Sequence, residues 1–446
     1  MEPSIPIIIP RKGRTRQYDL VHKADILKQL KAGIWAYFIL LIIEGALRKW
    51  FFPRLATPLL VVRDPLAMWL LFVAWKNNEM PSNWYIKSIV FIGIFAIFTA
   101  LTLGHGNLII ALYGARILLF HFPLMFLIGR IFNRDDVVKL GRVIIWISLP
   151  MIVLVTLQFY SPQSAFITRG VGGDITGGGF AGALGFFRPP GTFSFTSGNT
   201  QFWGVVCVYI IFFWLNPKLI NRWVLLASTA AMIVAVPLSI SRSLFFQVGL
   251  SMLFLSVSIS SNIKYLSRLF VATAVLFAIM LLLSRVEFFH QATEALTARF
   301  QDASNSEGGL QGTLIDRFLG GLLGAIQSNT QPFFGYGIGM GTNVATQLLT
   351  GRVDEFLIAE EEWGRLVGEM GTLLGVSVIF IRVYFCLKLT QASFYRLLKS
   401  DFLPWTLLSL AFVTVAQAQW AQPTSLGFST LIGGLLLASL KNKPVT

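Results

Sequence analysis

The sequence predicts an all-α, polytopic integral membrane protein with about twelve transmembrane helices. Three observations carry that expectation. Of the 446 residues, 55% are hydrophobic and 13% charged, and mean hydropathy is +0.68. Apolar segments recur along the whole chain, each near the ~20 residues that cross a bilayer core. Lysines gather in alternate connections between those segments, and the two longest connections contain none. A formal net charge of +15 would suggest nucleic acid for a soluble protein. Here the positive-inside rule accounts for the basic residues, and no nucleic-acid partner is expected.

Residues 1–33 form a basic arm with Arg11, Lys12, Arg14, Arg16, Lys23, Lys28 and Lys31, expected in the cytoplasm near anionic headgroups. The first apolar segment follows this arm and lacks a small-residue cleavage site, so no cleavable signal peptide is expected. Residues 34–446 read as a single membrane domain. Its expected spans are about 34–52, 55–75, 85–103, 108–128, 138–159, 199–215, 223–238, 244–258, 269–283, 363–387, 402–420 and 426–440. The lysine alternation places both termini in the cytoplasm. It places the loops 160–198 and 285–362 outside, with short helices in them. Lys49, beside the first outer turn, is the outlier. Cys207 and Cys386 fall inside apolar segments, and the four histidines are scattered. Neither a disulfide framework nor a metal site is implied.

Five ionisable residues lie within spans one, two and four: Glu44, Arg48, Arg63, Asp64 and Arg116. A charge at bilayer depth costs a few kcal/mol or more and is usually paired. Glu44 and Arg48 are one helical turn apart and can pair on one face. Asp64 can pair with Arg48 or Arg116. The set reads either as an ion cluster tying helices together or as a site for a lipid phosphate.

The outer loops concentrate the remaining chemistry. In the first, Pro189 and Pro190 stiffen the backbone just after Arg188, which would hold one guanidinium above span six, or simply leave it exposed on an ordered connector. Arg242 lies in SISRSL between two apolar spans with no acid near it in sequence. It suits bidentate phosphate contact, or it snorkels to the interface. Arg317, in TLIDRFLGGLLGAI, shares a helix face with the small residues Gly320 and Gly324, a strip that permits close packing. Its other reading is a salt bridge with Asp316. The glycines of PFFGYGIGMGT carry no Lys-Ser/Thr pair and no strand–helix unit, which excludes a P-loop. Glu360, Glu361 and Glu362 precede span ten, with Arg365 and Glu369 following. They can serve as a helix start with an i,i+4 ladder Glu361–Arg365–Glu369. One of the carboxylates can instead serve as a general base. With Arg365 holding Glu361, Glu362 is expected to be the freer of the two.

Taken in order, these residues resemble the O-antigen ligase and O-antigen polymerase superfamily of membrane glycosyltransferases. The resemblance rests on about a dozen spans with two outer loops, the Arg242 turn and Arg317 early in the large loop. PFFGYGIGMG and the GEMG of the next helix complete it. It implies an inverting, metal-independent transfer of glycan from an undecaprenyl-diphosphate donor to a sugar hydroxyl at the outer face of the bacterial inner membrane, with no cofactor. Arg242 and Arg317, helped by Arg188, would bind the diphosphate, and Arg365, Glu369 and Arg116 would support the site. The family's base is often a histidine. This chain has Glu-Glu-Glu-Trp there, so Glu361 or Glu362 would take that part. Expected partners are the lipid-linked glycan, its acceptor, the bilayer and other polysaccharide-assembly proteins. A transporter or lipid-linked oligosaccharide flippase built on the intramembrane charges is the alternative, as is an inactive scaffold of a polysaccharide-assembly complex.

Overall fold

Apolar composition and helix-compatible spacing produce a helical bundle. A computed structural model describes residues 12–178, 180–259, 286–307, 332–351, 357–359 and 361–441. Its main helices are α1 (Lys12–Ala46), α2 (Ala56–Leu60), α3 (Arg63–Lys76), α4 (Trp84–Thr102), α5 (Leu108–Arg116), α6 (Phe122–Ile131), α7 (Arg134–Tyr160), α8 (Thr196–Leu215), α9 (Arg222–Leu238) and α10 (Arg242–Ile259). These are followed by α11 (Glu287–Glu307), α12 (Asn343–Thr350), α13 (Glu362–Leu397), α14 (Phe402–Ala416) and α15 (Pro423–Ser439). Short π-helical turns continue α1 through Leu47–Phe51 and join α5 to α6 through Ile117–His121. The strands β1 (Phe180–Ala181) and β2 (Phe187–Arg188) pair antiparallel in the first long loop.

Eight helical segments are long and apolar enough to cross a membrane, and 222–238, 402–416 and 423–439 form shorter apolar helices. The chain is therefore a multi-pass membrane protein. Every expected span within the described residues overlaps one of these segments. Span nine lies outside the described residues, as do Asp316, Arg317, Arg352, Asp354, Glu355 and Glu360.

Polar ties divide the helix ends into two faces. On one face the arm and the connections of basic character meet. Lys23 and Arg130 both bind Glu79, at 2.9 and 3.2 Å. Arg134 binds Asp401 at 2.6 Å, and Lys441 donates to the carbonyls of Arg130 and Phe132. Burial pushes the Glu79 carboxyl up, but Lys23 and Arg130 outweigh it and hold it below its ordinary value. On the opposite face the long loops meet the bundle. Lys49, the outlier in the charge pattern, is buried there and donates to Gly191 O at 2.7 Å. Thr192 Oγ1 donates to Ile42 O at 2.7 Å. The segment PGTFS thus lies directly on EGALRKW, and a Cβ at Gly45 would collide with the backbone of Phe193 and Ser194.

One span departs from expectation. Glu362 and Arg382 lie 20 residues apart in α13, yet their side chains are 2.6 Å apart. Twenty residues of straight helix measure ~30 Å. The chain therefore turns back at Gly371, whose φ of 73° and ψ of 174° are not helical. Gly375 consequently abuts Leu366 and Val367. Residues 362–370 form a short arm folded against the long arm 372–397. The expected span 363–387 is corrected accordingly: the long arm crosses the bundle, and the short arm is a re-entrant piece beside it.

Candidate functional site

The site is built around the short arm of α13. Breaking a helix at Gly371 orphans the carbonyls of its last turn. The glycine loop supplies the missing donors. Tyr336 N donates to Gly368 O at 2.8 Å and Gly337 N to Glu369 O at 2.9 Å, while Gly341 N donates to Glu369 Oε1 at 2.9 Å. The loop's other side lies on α4 and α5. His105 Nε2 meets Ile338 O at 3.2 Å, and a Cβ on Gly114 would overlap Gly339. The glycines of GYGIGMG let backbone pass between backbone, and so hold the re-entrant arm in place. At Gly371 an added Cβ would collide with Phe333 O, and this φ/ψ region belongs essentially to glycine. Gly371→Ala is expected to lower stability by at least roughly 1–3 kcal/mol, read as a fall in the thermal midpoint of purified protein. Gly249→Ala, in α10 with open space around it, is the control and should melt no lower than the parent, since alanine suits a helix interior better than glycine.

Within this frame the two candidate carboxylates have different surroundings. Glu362 is 1% exposed. It accepts both forks of Arg365, Nε and Nη2, at 3.0 Å, Arg382 Nη1 at 2.6 Å and Trp420 N at 3.0 Å. Arg365 also binds Glu369 at 2.6 Å. Arg382 donates to Val415 O at 2.8 Å and lies over the Trp420 ring at 4.0 Å. Two guanidinium groups face two carboxylates, and the network is closed. The expected ladder Glu361–Arg365–Glu369 is therefore corrected. Glu361 has φ −75° and ψ 140° and caps the helix from outside it. Glu362, the first helical residue, turns inward and takes Arg365 at i,i+3. Glu361 is half-buried. Arg382 was not among the expected charges, although a lone arginine within IFIRVYF was a signal for it.

From this network a polar band runs across the loop face. The 417–422 turn, held by Trp420, carries half-buried Gln417, Gln419 and Gln422. Gln422 accepts Ser197 Oγ at 2.9 Å, and Gln201 donates to Ser425 at 2.5 Å. One step on, Thr200 bonds Ser241 at 3.0 Å, and Arg242 follows as the first residue of α10. The hairpin β1–β2 rests on that turn: Gly182 touches both Ile240 and the Arg188 stem. Arg299 of α11 reaches Gly182 O at 3.4 Å. The structure thus gathers Arg188, Arg242 and Arg299 at one end of the band and Glu361 at the other. An arginine at a helix N-terminus has the same sign of charge as the dipole there, which favours an anion over helix stability. Arg299 was absent from the sequence-based set. Arg317 lies outside the described residues, so its place at this end is not fixed by them.

The intramembrane charges form a second network, separate from the band. Glu44 binds Arg48 at 3.4 Å and Arg63 at 3.1 Å. Asp64 takes Arg116, not Arg48, with both oxygens at 3.0 Å. Arg48 donates to Ser194 at 2.8 Å, and Arg63 to Pro423 O at 2.6 Å. His121, which sequence spacing passed over, bridges Asp64 at 2.8 Å and the Tyr37 hydroxyl at 3.0 Å. Arg116 therefore stands in this network through Asp64. Through Pro423 and Ser194 the network fixes the start of α15 and the segment before α8, on which the polar band is mounted.

Among the described residues no group of three or more His, Cys, Asp and Glu side chains is placed to hold a metal ion. Comparison with models of known protein families, with curated proteins and with solved structures found no match in any of the three.

Proposed function

We propose that this chain is a membrane glycosyltransferase of polysaccharide assembly. It would transfer or polymerise glycan from an undecaprenyl-diphosphate-linked donor onto a sugar hydroxyl at the outer face of the bacterial inner membrane. The observation that carries this reading is the polar band with arginines at one end and a half-buried carboxylate at the other. The sequence resemblance to the O-antigen ligase and polymerase superfamily supports the same assignment. Glu361 accepts the proton of the acceptor hydroxyl. The acceptor oxygen then bonds to the anomeric carbon as the bond to the diphosphate oxygen breaks. The diphosphate leaves with the electron pair, and Arg242 and Arg188, with Arg317 from the large loop, stabilise its charge. The lipid stays in the bilayer while the loops orient the sugars.

Purified protein incubated with a lipid-linked glycan should release undecaprenyl diphosphate. Movement of intact lipid-linked glycan across vesicles without that release would favour the flippase reading instead, and neither activity would favour the scaffold. Arg242→Lys should reduce release about 10²–10³-fold, the range for loss of one charge-stabilising donor, because lysine keeps the charge but lacks the planar fork. Near-normal release by this variant would remove Arg242 from the donor site.

This reading takes about twelve spans, both termini cytoplasmic and the loop face outside. Single cysteines in a Cys-free background should then label from outside at Gly178 and from inside at Lys218 and Lys399. The reverse pattern would invert the assignment.

A further inference from the structure

A groove of about 670 Å³ lies between α4 and α13, with no residue of either charge network in its wall. Its walls include Trp84, Phe91 and Phe380, all more than half exposed, with Ser88 and Ser377 between them. Volumes of roughly 300–1,000 Å³ suit ligands of moderate size. The polar end is marked by cations. Lys87 is in the wall. Lys388 stands over the Tyr384 ring at 5.5 Å, and that ring stacks on Phe380 with centroids 6.0 Å apart. Both lysines are exposed, and among the described residues neither has a carboxylate partner. Trp84 begins α4 just after its Asn83 cap. Tryptophan and lysine at one helix end mark the interface between headgroups and hydrocarbon, with the lysine stem lying along apolar surface and its ammonium reaching outward.

We propose that this groove binds one anionic phospholipid of the surrounding bilayer. One acyl chain lies along Phe91 and Phe380, and the phosphate sits between Lys87 and Lys388. Charge complementarity selects this occupant. A second copy of this chain would present the same two cations to each other, and a zwitterionic lipid would add a cation beside them. The wall of the groove shares no residue with the polar band, so its occupancy can be tested apart from the proposed transfer reaction.

The test reconstitutes the full chain in phosphatidylcholine vesicles containing photoreactive phosphatidylglycerol or, separately, photoreactive phosphatidylcholine. Adducts on peptides of α4 and α13 are then quantified. The anionic phosphatidylglycerol probe should label these peptides well above the zwitterionic phosphatidylcholine probe. Lys87→Gln and Lys388→Gln should each lower that preference about five-fold, as one lysine near an anionic surface contributes. Ser377→Trp, which fills the groove, should remove these adducts while those elsewhere on the protein persist. Equal labelling by the two lipids, or a preference untouched by both glutamine variants, would overturn the proposal. So would efficient disulfide dimerisation of Ser377→Cys in a Cys-free background, which would assign the groove to a second copy.

Discussion

Glu361→Gln is expected to slow glycan transfer by about 10²–10⁴-fold, the range for loss of a general base, with only a small fall in the thermal midpoint. Glutamine keeps the size and removes the basic oxygen. The carboxylate makes no side-chain cap bond to α13; its backbone carbonyl accepts Arg365 N at 2.9 Å, and the substitution leaves that bond intact. What the helix loses is one negative charge at its N-terminus, typically 0.3–1 kcal/mol, or roughly that. Activity and stability therefore separate. The measurement is release of undecaprenyl diphosphate by purified protein, beside a melt of the same sample. Wild-type release would reduce Glu361 to a helix start and send the search for a base to Asp316, Glu369 and His290, the last of which pairs with Glu294 at 3.3 Å on α11.

The different legibility of these features has a physical origin. Spans were readable because each is set by its own run of apolar residues, and a run such as 108–128 needs no partner to be recognised. The Glu44–Arg48 pair was readable for the same reason, since one helical turn separates the two residues. The choice between Glu361 and Glu362 was not. It depends on which residue is the first to adopt helical φ/ψ, and a shift of one position rotates a side chain by about 100°. Pairings made through tertiary folding were equally hidden. Arg382 meets Glu362 only because the chain reverses at Gly371, and GEMG gave the glycine without the reversal. Tyr37, His121 and Asp64 converge from three helices, so His121 looked isolated in sequence. The glycine loop shows the middle case. Its spacing excluded a nucleotide, but its part in capping the short arm required knowing that the arm ends there.

Glu362→Gln is expected to act in the opposite sense to Glu361→Gln, costing about 3–5 kcal/mol of stability, as removal of one partner from a buried ion pair does. Arg365 would keep Glu369. Arg382 would keep the Val415 and Ala418 carbonyls and the Trp420 ring, leaving a guanidinium that is 1% exposed with no carboxylate. The network goes from two charges of each sign to a net positive one, and the Trp420 N–H loses a charged acceptor. Because Trp420 holds the turn that carries the polar band, transfer should fall as well, but only in proportion to the folded fraction. A double-mutant cycle separates the causes. Arg382→Met in the Glu362→Gln background removes the orphaned charge and should recover part of the lost stability, whereas two independent structural defects would add. A Glu362→Gln protein that melts like wild type yet releases no diphosphate would show the reverse of this assignment: Glu362 would be the proton acceptor, and its two arginines would hold a reactive group in place.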